Sequence, residues 1–137
     1  MFIDTSAIVT ILTGEAEQSA MARVIEASGQ RFSSGLVRLE SVMALTRFDL
    51  GGPARCAVAV DQLLSRFGIE ILPITDEVSF VAVDAFARFG KGQGHPAKLN
   101  LSDCMSYAVA KHHKLPILCK GEDFAKTDIN LVELPQG

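Results

Sequence analysis

Five acids in this 137-residue chain stand where a carboxylate could do chemistry. Asp103 lies near the start of a helical stretch, Leu99–Lys114, among small and apolar residues. Asp4 ends a short apolar run, Met1–Asp4, that reads as a buried strand. Open α/β sheets bind ligands beyond the carboxyl ends of their strands, which makes that position informative. Glu122 and Asp123 follow the apolar run Leu115–Lys120 in the same way. Glu40 falls on an apolar stripe formed by Leu36, Leu39, Met43 and Leu50 at helical spacing. Each acid also has an ordinary use. Asp4 suits a helix cap, and Asp103 occupies the third helical position if Asn100 rather than Ser102 is the N-cap. Glu40 has Arg47 as a candidate ion-pair partner.

Gathered in one crevice, four carboxylates without a counter-ion would cost several kcal/mol each, against a total stability of about 5–15 kcal/mol. A hard divalent cation relieves the repulsion, and all-oxygen ligation selects Mg²⁺ or Mn²⁺ over zinc. Such a site suits phosphoryl-transfer hydrolysis, in which a metal activates water, polarises the scissile phosphate and stabilises the leaving oxygen. A serine–histidine–aspartate arrangement has little support, because none of the three histidines lies near a nucleophile in the expected crevice.

The elements that must position these acids alternate. Strands are expected at Met1–Asp4, Arg31–Ser34, Glu70–Pro73, Leu115–Lys120 and Asn130–Leu134. Helices are expected from Thr5 or Ser6 to about Leu12, and over Glu15–Ser28, Leu36–Leu50, Ala54–Phe67 and Leu99–Lys114. The helix over Ala54–Phe67 carries Val58, Leu63, Leu64 and Phe67 as its apolar positions. Another, capped by Thr75 or Asp76, places Val78, Val81, Ala82, Ala85, Phe86 and Phe89 in the core. Gly51-Gly52-Pro53 closes the helix that carries Glu40. Alternating strands and helices imply parallel βαβ units in a layered α/β domain. The Gly-rich loop Gly90–Lys98 brings Lys91, His95 and Lys98 just ahead of Asp103, where they could line a backbone-phosphate groove. No Gly-x-Gly-x-x-Gly or Gly-Lys-Ser/Thr follows the first strand, so a nucleotide cradle is not indicated.

A net charge of −3 creates no overall field for nucleic acid. Any polyanion must be held by a local basic patch or by bound cations. Cys56, Cys104 and Cys119 form an odd set without Cys-x-x-Cys spacing, as expected of reduced thiols in a cytoplasmic protein. Neither a leader segment nor an apolar stretch approaching ~20 residues is evident, so no membrane association is expected. The length suits a single domain over 1–137. A hydrophobic share of 48% and mean hydropathy of +0.26 suggest apolar surface kept for a partner.

Four motifs occur in order over almost the whole chain: Met-Phe-Ile-Asp4-Thr-Ser, Arg38-Leu-Glu40, Leu99-Asn-Leu-Ser-Asp103-Cys-Met-Ser-Tyr-Ala and Leu118-Cys-Lys-Gly-Glu-Asp123-Phe-Ala-Lys-Thr-Asp128-Ile. Together they resemble a PIN-domain ribonuclease of the VapC toxin family, from type II toxin–antitoxin systems. The resemblance implies a three-layer α/β PIN-like domain with a central parallel sheet flanked by helices. It further implies a Mg²⁺-dependent endoribonuclease in which Mn²⁺ can substitute, a homodimer, and inhibition by a small VapB-like antitoxin. Carried over by position, Asp4 and Asp103 would be the principal metal ligands and Glu40 would complete the set. Asp123 would be the fourth acid, directly or through water, with adjacent Glu122 the alternative. Thr5 or Ser6 would orient a metal-bound water. Ser102 stands where the family commonly has Gly. Two other functions match parts of the pattern. One is a metal-dependent phosphatase or phosphotransferase with Asp4 as nucleophile, although Ser6 replaces the second acid of an Asp-x-Asp pair. The other is a non-catalytic protein-binding module whose acids are caps and surface charges.

Overall fold

The computed structural model describes residues 1–48 and 51–135. Along the chain run β1 (Phe2–Ile3), α1 (Thr5–Thr13), α2 (Gln18–Ala27), β2 (Phe32–Ser34), α3 (Gly35–Arg47) and α4 (Gly52–Arg66). Then follow β3 (Glu70–Leu72), α5 (Asp76–Phe89), α6 (Leu101–His112), β4 (Ile117–Leu118) and a 3₁₀ turn, Phe124–Lys126. The strands form one parallel sheet in the order β3-β2-β1-β4. This is the expected α/β architecture, a central parallel sheet flanked by helices.

Strand order decides where a ligand can bind. From β1 the chain steps outward through β2 to β3, then returns to place β4 on the other side of β1. The crevice beyond the carboxyl ends of β1 and β4 is therefore the point where connections diverge, the usual binding position in such sheets. Phe2, Ile3, Ile117 and Leu118 are completely buried and anchor both central strands. The Asp4 amide continues the pairing by donating to the Leu118 carbonyl at 3.0 Å. The Ser33 hydroxyl donates to the Ile3 carbonyl at 2.8 Å, fastening β2 to β1 just below the crevice.

The helices fall into two packed groups: α1 lies against α2, α3 and α4, while α5 packs mainly on α6. Contacts between α3 and α6 help join the groups beside the crevice. Tyr107 donates to Asp128, which Arg88 and Lys111 also approach at 3.2 and 3.4 Å. That cluster ties the segment after β4 to α5 and α6.

Several sequence expectations change in detail. In α3 the buried row is Val37, Ser41 and Leu45, whereas Leu39 and Met43 are about half exposed. Apolar residues occupy both sides of this helix, and the i, i+4, i+8 row faces its neighbours. Leu50 lies outside the described residues. In α5, Val78, Ala82, Ala85 and Phe89 are buried, but Phe86 is not. In α4, Val58 faces outward. Pro53 belongs to the first turn of α4, after Gly51 at φ 98°, so the Gly-Gly-Pro stretch starts a helix. The strand expected at Asn130–Leu134 reduces to one parallel bridge between Leu131 and Ile117.

Packing and hydrogen bonding around β1 should separate in stability measurements. Ile3→Ala removes a fully buried side chain and is expected to cost about 2–5 kcal/mol in urea unfolding. Ser33→Ala, which loses one buried hydrogen bond, should cost only about 1 kcal/mol.

Candidate active site

A cleft of about 410 Å³ opens at the divergence point, lined among others by Asp4, Thr5, Ser6, Glu40, Asp103 and Lys120. Asp4 reaches it because β1 ends there and α1 begins one residue later. Its Oδ2 accepts from the Ser6 amide at 3.2 Å and from the Ser6 hydroxyl at 2.8 Å, making Asp4 itself the N-cap of α1. Ser6 Oγ in turn accepts from the Lys120 amide at 2.9 Å, so one hydroxyl joins β1, α1 and the segment leaving β4. Thr5 begins α1, and its buried Oγ1 finds no hydrogen-bond partner among the described residues.

Asp103 enters from α6 through a complete capping box. Asn100 Oδ1 accepts from the Asp103 amide at 2.9 Å, and Asp103 Oδ2 accepts from the Asn100 amide at 3.2 Å. Structural and chemical uses of Asp103 thus coincide, because the capped helix start faces the cleft. Glu40 arrives from α3 and accepts a hydrogen bond from the Ser102 hydroxyl, which bridges α3 to α6. Ser102 therefore orients an acid of the site as well as standing in the first turn of α6. Among the described residues Glu40 makes no ion pair with Arg47.

The fourth acid is more open. Asp123 and Glu122 are both exposed, just before the 3₁₀ turn and outside the cleft wall. Burial pushes Asp103 from 3.8 up to about 6, opposed by its hydrogen bond at Asn100 and reinforced by the charges of Asp4, Asp123 and Glu40. Burial likewise raises Asp4, and the charge of Glu40 adds to the shift against the hydrogen bonds from Ser6 and Ser106. The charge of Asp123 is among those that act on Asp103. Cys119, half-buried behind the site, is pushed up to about 12 by burial and then by Asp4, Asp103, Asp123 and Glu122.

The loop residues suggested for phosphate contact do not line this cleft. His95 accepts from the Ala97 amide and packs edge-on against Phe89. Lys91 borders an apolar groove between α5 and α6, and Lys98 lies with His95 beside a separate surface hollow. The cations of the cleft wall are instead Arg47 and Lys120. Sequence reasoning missed these two and Ser106, a buried α6 hydroxyl that lowers the proton affinity of Asp4. Lys120 lay inside the strand-end motif already singled out, while Arg47 stands seven residues after Glu40 on the same helix.

Fit to a divalent cation can be judged from the donors. Among the described residues no three Asp, Glu, His or Cys groups converge closely enough to complete a coordination sphere. The expected three-ligand set is therefore a shared cleft, in which the charges of Asp4 and Glu40 raise the proton affinity of Asp103. Mg²⁺ commonly takes one or two carboxylates and keeps several waters, so this oxygen-only donor set, with Thr5 Oγ1 unpartnered beside it, suits that ion.

The PIN domain family model matches residues 1–130. A VapC ribonuclease of Rhizobium meliloti is 40% identical over 141 residues, covering 93% of this chain and 98% of that protein. Ribonuclease VapC42 of Mycobacterium tuberculosis is 37% identical over 129 residues, covering 94% and 96%. Among solved structures, M. tuberculosis VapC20, described as a toxin that cleaves the sarcin–ricin loop, superposes with a TM-score of 0.76 at 20% identity over 98% of both chains. A toxin–antitoxin complex from Klebsiella pneumoniae gives 0.64 at 16% identity over 90% and 89%.

The raised acids give the metal-free protein a distinctive pH profile. Between about 3.8 and 6 the native state holds a proton on Asp103 that the unfolded chain has lost. Stability from this group is therefore present at low pH and declines as pH rises through that window. In chelator-treated protein, the denaturation midpoint should fall over this range, and Asp103→Asn should flatten the decline.

Proposed function

We propose, from the premise that this chain belongs to the PIN-domain family and to its VapC ribonucleases, that the cleft hydrolyses RNA phosphodiester bonds. In this reading the protein is the toxin of a type II toxin–antitoxin pair, with residues 1–137 working as one domain in the cytoplasm. The observation that carries it is the meeting of Asp4, Glu40 and Asp103 from three elements at one sheet divergence point.

Asp4 and Asp103 would hold Mg²⁺, with Mn²⁺ able to substitute, and Glu40, on the same cleft wall, would contribute through water rather than directly. A divalent cation there supplies Lewis acidity toward the phosphate and lowers the pKa of an associated water. Asp123 contributes the fourth negative charge from the rim. Ser6 has one hydroxyl proton, and that proton is committed to Asp4 Oδ2. Thr5, whose Oγ1 is unpartnered, is consequently the better candidate to orient the attacking water. Lys120 pairs with Glu15 and, at 3.5 Å, with Glu17, bracing the mouth of the cleft. In-line attack by water leaves a 5′-phosphate and a 3′-hydroxyl.

Two protein partners belong to the same reading: a small VapB-like antitoxin and a second copy of this chain. Support for self-association comes from α5 and α6, where Phe80 and Leu101 are 70% and 77% exposed, with Val83 and Phe86 alongside. Isolated exposed apolar residues are ordinary, but Val83, Phe86 and Leu101 line one apolar groove, which supports reading this face as a contact surface. No described helix is long and apolar enough to cross a membrane.

Asp103→Asn keeps a capping side chain while removing the charge. It should reduce RNA cleavage in Mg²⁺ at least about 100-fold, corresponding to several kcal/mol of transition-state stabilisation, without unfolding the protein. Undiminished cleavage would remove Asp103 from the mechanism. Calorimetry should detect Mn²⁺ binding to wild type, and its absence at millimolar metal would favour a non-catalytic role. Val83→Asp, placing a charge in the apolar group, is expected to shift a dimer toward monomer in light scattering.

A further inference from the structure

We propose that Arg47 is a phosphate-binding residue that grips the RNA backbone beside the bond that is cut. The inference rests on the ribonuclease reading above and adds to it a contact for the substrate strand.

Glu40, Ala44 and Arg47 follow one another at i, i+4 and i+7 on α3, and all three line the cleft. Ala44, with its single methyl group, leaves the floor between the two charged residues open. The wall includes four acids, Asp4, Glu15, Glu40 and Asp103, and two cations, Arg47 and Lys120. Lys120 is engaged by Glu15 and Glu17. Arg47 is exposed, and among the described residues it makes no ion pair and no side-chain hydrogen bond, although carboxylates share its cleft.

A cation in the last turn of a helix complements the helix dipole, and this accounts for a positive charge at position 47. It does not account for its place in the cleft wall. A guanidinium presents a planar fork of donors that matches a phosphate in two simultaneous hydrogen bonds. Seven residues of helix separate Arg47 from Glu40 by about 10 Å along the axis. The phosphate it meets is therefore a neighbour of the one facing the carboxylates. A chain of net charge −3 needs such a local cation to retain a polyanion.

The test compares wild type, Arg47→Ala and Arg47→Lys. Binding of a fluorescent random-sequence single-stranded RNA is measured by anisotropy over a salt series, in an Asp103→Asn background that prevents cleavage. Thermal unfolding of each variant is followed, and total bacterial RNA is digested with each in the active background. Arg47→Ala should bind more weakly and lower the salt slope by about 0.7, the signature of one lost phosphate contact on a single strand. Arg47→Lys should retain the slope but bind several-fold more weakly, because the charge persists and the two-pronged geometry does not. Melting temperatures should match wild type. If wild type cleaves RNA while Arg47→Ala keeps the full slope, the clamp is wrong and the ribonuclease reading stands. If Arg47→Lys loses as much slope as Arg47→Ala, the loss is structural and the clamp is again overturned. A wild type that leaves all RNA intact overturns the ribonuclease reading and takes the clamp with it.

Discussion

Carboxylates that repel one another are pinned into a common cleft by the backbone amides they satisfy. Asp4 is fixed by the Ser6 amide at the start of α1, and Asp103 by the Asn100 amide at the start of α6. Each helix leaves its first amides without internal partners, so an acid placed there is held by a donor already waiting for it. That attraction offsets part of the cost of crowding charge, though burial still leaves both acids with raised proton affinity. Helix capping and a chemical site are here the same side chains used twice.

The remainder of the structure serves this juxtaposition. Two short, fully buried central strands deliver Asp4 and the Lys120 segment side by side, and the Ser6 hydroxyl locks them together. Glu40 joins by a different route, through the Ser102 hydroxyl, so the bridge between α3 and α6 passes through an acid of the site. Exposed ion pairs of this protein, such as Arg88 with Asp84, are worth little to stability by comparison. Buried strands, caps and single hydroxyl bridges carry the positional information.

Much of this was legible in the residues. An apolar run ending in an acid and followed by helix formers marks a strand end, and it located Asp4. Asn100 followed by Asp103 at the capping spacing located the start of α6 to within two residues. Glu40 was identified for an incomplete reason: its stripe partners Leu39 and Met43 face outward, and the buried row lies at Val37, Ser41 and Leu45. A helix with apolar residues on both sides cannot announce which side is covered, since that depends on where its neighbours lie. The basic loop misled because composition does not reveal direction. Lys91 and His95 instead border Leu99 and Phe89, while the cations of the cleft come from α3 and from the end of β4. Arg47 and Lys120 meet only through tertiary packing, which no local pattern encodes. The fourth acid is one of two adjacent residues, Glu122 and Asp123, which share an exposed position just before the 3₁₀ turn, so spacing in the sequence does not separate them.

The position of Cys119 has a consequence for redox chemistry. Thiolate, rather than thiol, reacts with alkylating and oxidising agents. Half-buried, and then surrounded by the negative field of Asp4, Asp103, Asp123 and Glu122, this sulfur stays protonated far above neutral pH. Burial, reinforced by the same crowding of charge that prepares the cleft for a cation, thus holds Cys119 in the thiol form, which is the poorer nucleophile toward oxidants.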